Sequence, residues 1–218
     1  MDLANLLDPV SALLVVGGTA LATALRSGAR DCALTFRSLI RLFNRRFDAD
    51  SVKAELARQL REIEMDGLLR ANPHLFGDRE FDDATAAMIE ARSVDALLVR
   101  HEYHRTNRAQ RAKRASSTLA QASELAPVFG LAGTLVSLSQ LPAGGLAQSA
   151  FAGTISMAVL TTLYGLLLGN LMLAPLSRLL DRAHAREEAE RQKLFDWLAD
   201  KIRQAGPRVA RAEPAVAA

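Results

Sequence analysis

His101, Glu102 and His104 stand together as His-Glu-Tyr-His, three side chains able to ligate a metal ion. A zinc site built on one helix sets two histidines four residues apart with a glutamate between them, so that both rings share a face. Here the histidines are three apart, and Arg100, Arg105 and Arg108 crowd them with positive charge that repels a cation. The set reads as part of a solvated helix, with no metal. Cys32 is the single cysteine, which excludes an internal disulfide framework and a multi-cysteine zinc site. It has no acid–base partner nearby in sequence and reads as a packing residue. No serine, cysteine or carboxylate arrangement resembles a catalytic triad. The expectation is a protein that is not an enzyme and takes no cofactor.

Glycines and hydroxyls form a second pattern. Gly130, Thr134 and Ser137 share one face at helical spacing, and Thr154, Ala158, Thr161 or Thr162, Gly165 and Gly169 share another. Small residues let helices approach closely, and Gly165-xxx-Gly169 is a recognised close-packing spacing. Gly130, Gly133, Gly165 and Gly169 are therefore candidate packing residues. Two readings stay open: plain helix packing, or a polar seam whose threonine hydroxyls bond water or a carboxyl group on a proton route. A hydroxyl does not titrate near neutral pH, so it cannot itself carry the charge. Pro127 and Pro175 each lack an N–H and free a carbonyl four residues back. They are either helix-end signals or a hinge.

The elements that hold these residues follow from charge. The chain has 218 residues, 27 basic and 24 acidic, with a net charge of +3 and a pI near 9.4. An even spread would put roughly a dozen charges between Leu125 and Ser177; there are none. A fully soluble protein is excluded by that gap. About 20 apolar residues cross a bilayer, so the window holds two spans, 125–141 and 149–176, broken by Leu-Pro-Ala-Gly-Gly-Leu at 141–146. A further charge-free run, Pro9 to Leu25, is a third span. It is not a signal peptide, since Asp2 and Asp8 precede it and Arg26 and Arg30 follow. Every Lys and Arg lies within Arg26–Arg114 or Arg178–Arg211. The positive-inside rule then places the N-terminus and the 141–148 connection outside, and the two basic blocks in the cytoplasm.

Between the first two spans the periodicity is helical throughout. Leu34, Leu39, Ile40, Leu42 and Phe43 alternate with arginines in an amphipathic stretch. Asp50 or Ser51 caps a helix expected to reach about Leu69, and Asn72-Pro73 and Phe76-Gly77-Asp78 break the chain. One long helix is expected from about Asp82 to the membrane. The basic run Arg100–Arg114 has no aromatic stacking platform and lies close to a membrane entry, so it suits anionic headgroups and not nucleic acid. After Ser177 a charged helix is expected to reach about Arg203, stopped by Gly206-Pro207, with a disordered tail. The layout is an all-α membrane protein. Its segments are a span over 1–26, a helical cytoplasmic domain over 27–123, a transmembrane hairpin over 124–177, and a cytoplasmic helix and tail over 178–218.

Leu-Ala-Pro-Val-Phe-Gly-Leu-Ala-Gly-Thr-Leu-Val-Ser-Leu at 125–138 resembles the third-helix motif of the MotA/PomA branch of the MotA/TolQ/ExbB proton-channel family. Ala158-Val-Leu-Thr-Thr-Leu-Tyr-Gly-Leu-Leu-Leu-Gly-Asn-Leu, ending in Leu173-Ala-Pro-Leu, resembles the fourth, and Asp8-Pro-Val-Ser-Ala-Leu-Leu-Val-Val-Gly-Gly-Thr the second. The resemblance implies a multi-pass protein of the bacterial inner membrane. It would form a homopentameric ring around a MotB/ExbD/TolR-like single-span partner that carries a membrane aspartate. It marks Thr134 and Thr162, with Thr161 beside it, as ion-path residues, and Pro127 and Pro175 as the paired prolines at the cytoplasmic edge. The three-span layout is that of the TolQ/ExbB branch, whereas MotA-type stators have one more span before the run Pro9–Leu25. Two positions depart from the pattern. Glu64 and Asn72 stand around Gly67-Leu68-Leu69 where a stator presents an arginine and a glutamate to the rotor. Met157 stands where the TolQ/ExbB branch has a glutamate. The expected function is a channel subunit that converts ion-motive force into mechanical work; the alternative is a non-conducting scaffold that keeps only the packing.

Overall fold

A computed structural model describes residues 8–44, 51–58, 78–91, 93–140 and 148–209, and among them there is no strand. The elements are α1 (Pro9–Ser27), α2 (Ala29–Asn44), α3 (described over residues 51–58), α4 (Arg79–Ala91), α5 (Val94–Ser139), α6 (Gln148–Leu166), a π-helical segment (Leu167–Leu173) and α7 (Ala174–Val209). Three helical stretches are long and apolar enough to cross a membrane, Pro9–Ser27, Val94–Ser139 and Phe151–Gln204. The chain divides into two compact units: Met1–Asn44 with Arg111–Ala183, and Arg45–Gln110 with His184–Ala218.

In the first unit α1 starts where its sequence says it should. Asp8 caps it, its carboxylate accepting from the backbone N–H of Val10 and Ser11 and from the Ser11 hydroxyl, and Pro9 follows at the position where a missing N–H costs nothing. Gly28, at φ 85°, ends the helix and returns its N–H to the Ala24 carbonyl. The buried face repeats every four residues as Ser11, Val15, Thr19 and Thr23. Gly18 lies so close to the Phe129 ring that a side chain there would collide with it. α2 stays beside α5, where Thr35 donates to the Asp31 carbonyl within its own helix and lies 3.5 Å from the Ala115 carbonyl oxygen.

The second unit has a conventional apolar core. Val52, Leu56, Phe81, Ala84, Met88, Leu97, Leu194, Phe195, Leu198 and Ile202 are buried together. Phe81 and Phe195 stack at 4.4 Å between centroids. Around this core runs a set of ion pairs. Arg108 is bidentate on Glu188 at 2.9 Å and also contacts Glu80, and Arg191, 3% exposed, reaches Asp78 at 2.6 Å and Glu187 at 3.1 Å. The bidentate fork fixes direction as well as charge. Asp78 also caps α4 by accepting from the Glu80 N–H.

Several expectations change here. The single helix from Asp82 toward the membrane is two helices, because the Ser93 hydroxyl accepts from the Asp95 N–H and starts a new one. His101 is not on a solvated face: it is 2% exposed, stacks on Phe195 at 3.8 Å and places Nε2 2.9 Å from the side-chain amide oxygen Oε1 of Gln192. His104 turns instead to Asp83 at 2.6 Å, and Glu102 pairs with Arg105. The basic run is also less free for headgroups than its sequence implies, since Arg100, Arg105 and Arg108 all meet carboxylates within this unit. α7 continues through Gly206-Pro207 to Val209, where a proline costs little because only the last turn loses a bond. The expected end of α3 near Leu69, the breaks at Asn72-Pro73 and Phe76-Gly77, Glu64, the Gly67-Leu68-Leu69 stretch, the 141–146 connection and the 210–218 tail lie outside the described residues.

These environments make the second unit acid-sensitive. Burial lowers the His101 pKa from its ordinary 6.5, and the nearby Arg108 charge adds to that, outweighing the Gln192 bond. Burial raises Asp78 and Glu188, but Arg191 and Arg108 respectively outweigh it and hold both below 3.8 and 4.5. All three groups bind fewer protons folded than unfolded, so each stabilises at high pH and withdraws that stability as pH falls. For His101 the contribution is full above 6.5 and fades as pH drops through its lowered value; the carboxylates act only in stronger acid. Trp197, the one tryptophan, packs on the core and reports the melt. Its thermal midpoint should fall between about pH 7.5 and about pH 5, and His101→Phe should flatten that part of the profile. An unchanged slope in the variant would assign the sensitivity elsewhere.

Candidate functional site

The glycines of α5, α6 and the π-helical segment set the geometry of the membrane hairpin. A Cβ placed on Gly130 would lie 2.9 Å from the Thr161 carbonyl oxygen and 3.1 Å from Gly165 Cα. One on Gly165 would lie 2.7 Å from the Ala126 carbonyl oxygen, and one on Gly133 2.8 Å from Thr161 Cβ. One on Gly169 would lie 2.6 Å from the Ser123 carbonyl oxygen and 3.0 Å from Pro127 Cδ. Real side chains do not fit at these separations, so the backbones touch. The pairs ascend along α5 as they descend along the following helix, which makes the two antiparallel. All four glycines named as packing candidates are on this contact line.

The threonines divide accordingly. Thr161 is fully buried on the line, its Oγ1 donating to the Ala158 carbonyl at 2.9 Å. Thr134 and Thr162 each come one residue after a contact residue, and both are half-buried. One residue turns a helix by about 100°. In an antiparallel pair that turn carries both helices to the same flank, so Thr134 and Thr162 share one side of the seam. Their hydroxyls differ in availability. Thr134 Oγ1 donates to the Leu131 carbonyl at 2.6 Å, a full hydrogen bond, whereas Thr162 Oγ1 is 3.4 Å from the Ala158 carbonyl, beyond the usual range for a hydroxyl donor. Of these three threonines, Thr162 is the one whose hydroxyl is least committed to its own helix. Leu131, Leu138 and Leu166 on the same flank are exposed and apolar.

Pro127 lies inside α5 and packs on Gly169, while Pro175 comes just after the π-helical segment. There the Ala174 N–H returns to the Gly169 carbonyl, five residues back. Two structural residues escaped the sequence reading. Tyr164 accepts the Asp8 N–H on its hydroxyl at 3.1 Å and so ties α1 to α6; a tyrosine in an apolar span, whose hydroxyl needs a partner, was the available signal. Ser177 donates to the Ser116 carbonyl at 3.0 Å and joins α7 to α5. Among the described residues no group of three or more metal-ligating side chains converges.

Comparison with known proteins decides the family. The model of the MotA/TolQ/ExbB proton channel family matches residues 80–193, more than half of the chain. The protein belongs to the MotA/TolQ/ExbB proton channel family. Motility protein A of Cereibacter sphaeroides is 22% identical over 196 residues, covering 89% of this chain and 78% of that protein. Motility protein A of Borreliella burgdorferi is 34% identical over 74 residues, 34% of this chain and only 28% of that relative's length. The flagellar MotAB stator complex from Bacillus subtilis superposes with a TM-score of 0.76 at 17% identity, over 98% of this chain and 91% of the other. MotAB of C. jejuni gives 0.76 at 16%, over 97% and 88%. The described residues are thus all helical, with three helices long and apolar enough to cross a membrane, and the chain shares the fold of these MotAB structures.

The seam's tightness is open to test. Gly165→Val forces atoms into the Ala126–Gly130 backbone and should cost about 1–3 kcal/mol, read as a lower midpoint of helix melting in mild detergent. Gly153 has nothing within 4 Å of an added Cβ, so Gly153→Val should leave the midpoint nearly unchanged. Equal tolerance at both positions would contradict the close packing.

Proposed function

We propose that this chain is the ring-forming subunit of a proton-driven energiser in the bacterial inner membrane. Five copies surround the membrane helices of a MotB/ExbD/TolR-like single-span partner, whose membrane aspartate carries the proton, and lipid surrounds the ring. Ion flow is converted to mechanical work, as a flagellar stator or an envelope energiser. The observation that carries this reading is the shared flank: two threonine hydroxyls, one barely committed to its helix, on a hairpin with no Asp, Glu, Lys, Arg or His from Leu125 to Ser177. Thr162 and Thr134 bond the carboxyl group or its waters, and Thr161 supports them from the contact line. Pro127 and Pro175, at the cytoplasmic side of the seam, serve as the hinge. A proton falling through 100 mV releases about 2.3 kcal/mol, which biases a two-state ring by some tens-fold and moves it only if its states are nearly balanced.

The non-conducting scaffold keeps one observation in its favour. Thr134 and Thr161 are hydrogen-bonded to their own helix carbonyls, as packing threonines are. Thr162 separates the two readings. In liposomes reconstituted with the assembled complex, Thr162→Val should lower proton uptake about tenfold while assembly persists, the value of one lost hydrogen bond to a charged group. Thr134→Ala should lower uptake less. Full uptake in the Thr162→Val complex would make the seam packing alone.

A further inference from the structure

The column that holds Thr162 does not end there. Thr161, Gly165 and Gly169 are successive buried residues on the contact line with α5, and the residues just after them are Thr162, Leu166 and Asn170. Asn170 therefore stands to Gly169 as Thr162 stands to Thr161, on the same flank and roughly 12 Å nearer the cytoplasm. A regular α-helix would drift off this line over two turns, since four residues exceed one turn. The π-helical segment Leu167–Leu173 takes more residues per turn and brings Asn170 back into the column.

Asn170 is exposed and makes no hydrogen bond among the described residues, while Leu166, Leu167, Leu171 and Met172 around it are exposed and apolar. In the five-residue register that Ala174 and Gly169 show, the donor to the Asn170 carbonyl would be residue 175, and Pro175 has no N–H. An amide facing hydrocarbon is costly, and polar side chains at this depth face other polar groups.

We propose that Asn170 is a second hydrogen-bonding station for the carboxyl group carried by the membrane helix of another chain, cytoplasmic to Thr162. The inference rests on the reading of the Thr134–Thr162 flank as a proton route. An amide suits both protonation states: its NH2 donates to a carboxylate, and its carbonyl accepts from a protonated carboxyl. Asn170 is a positioning residue, holding the carrier after the proton has passed Thr162.

The test uses the full chain in native membrane vesicles with Cys32→Ser as background and a water-soluble methanethiosulfonate as probe. Asn170→Cys and Thr162→Cys should both label, and Leu171→Cys should not. Label at 162 without label at 170 overturns the station and leaves the route; label at neither overturns the route itself; equal label at 171 shows a generally wet surface and overturns the station. Proton uptake should fall about tenfold in Asn170→Leu and recover in Asn170→Ser, which keeps a donor and an acceptor. Unimpaired Asn170→Leu, or an Asn170→Ser as impaired as the leucine variant, would also overturn it.

Discussion

Backbone-to-backbone contact between α5 and α6 is the constraint on which the membrane part depends. Gly130 and Gly165 each occupy space that the other helix's main chain needs, and Gly133 receives Thr161. In a bilayer, burying apolar side chains from lipid yields little, so van der Waals contact and hydrogen bonds must hold helices together. Four glycines provide that contact along one line. Once the line is fixed, the orientation of every other residue on the two helices follows. Thr134 and Thr162 share a flank because the helices are antiparallel and each follows a contact residue by one.

The same scarcity of partners governs the polar groups. Polar groups of the first unit are met from within it: the Asp8 N–H by the Tyr164 hydroxyl, the Ser137 hydroxyl by the Gly133 carbonyl and the Ser177 hydroxyl by the Ser116 carbonyl. Pro175 removes one donor, and the π-helical segment just before it is the backbone's adjustment around Gly169 and that proline. The second unit solves the opposite problem. Its ion pairs are partly buried, and their value lies in fixed direction as much as in energy, because charges taken from water regain little in net stability. Asp78 shows this economy, capping α4 and holding Arg191 with one carboxylate.

Much of this was legible in the residues. The charge-free window, the Asp8-Pro9 start of α1 and its Gly28 end, and the packing glycines are local signals with direct mechanisms, and each appears where its chemistry requires. What was hidden depended on contacts distant in sequence. His101 sits among arginines and looks solvated, yet Phe195 and Gln192, some 90 residues away, bury and bond it. Ser93 offered a cap, but helical periodicity on both sides of it masked the break. The π-helical segment has no compositional signature; it arises from a tight glycine contact and a proline that no window average weighs. Asn170 follows Gly169 by one residue as Thr162 follows Thr161, so the spacing that set Gly165 and Gly169 on one face carried it, unread.

The central claim is that a hairpin without Asp, Glu, Lys, Arg or His between Leu125 and Ser177 conducts only when another chain supplies the carboxylate that carries the proton. The most direct measurement is proton uptake into liposomes under an imposed potential. It compares the purified ring alone with the ring reconstituted with a single-span protein that carries a membrane aspartate. The account predicts background uptake from the ring alone and potential-driven uptake from the complex. Strong uptake by the ring alone would contradict it.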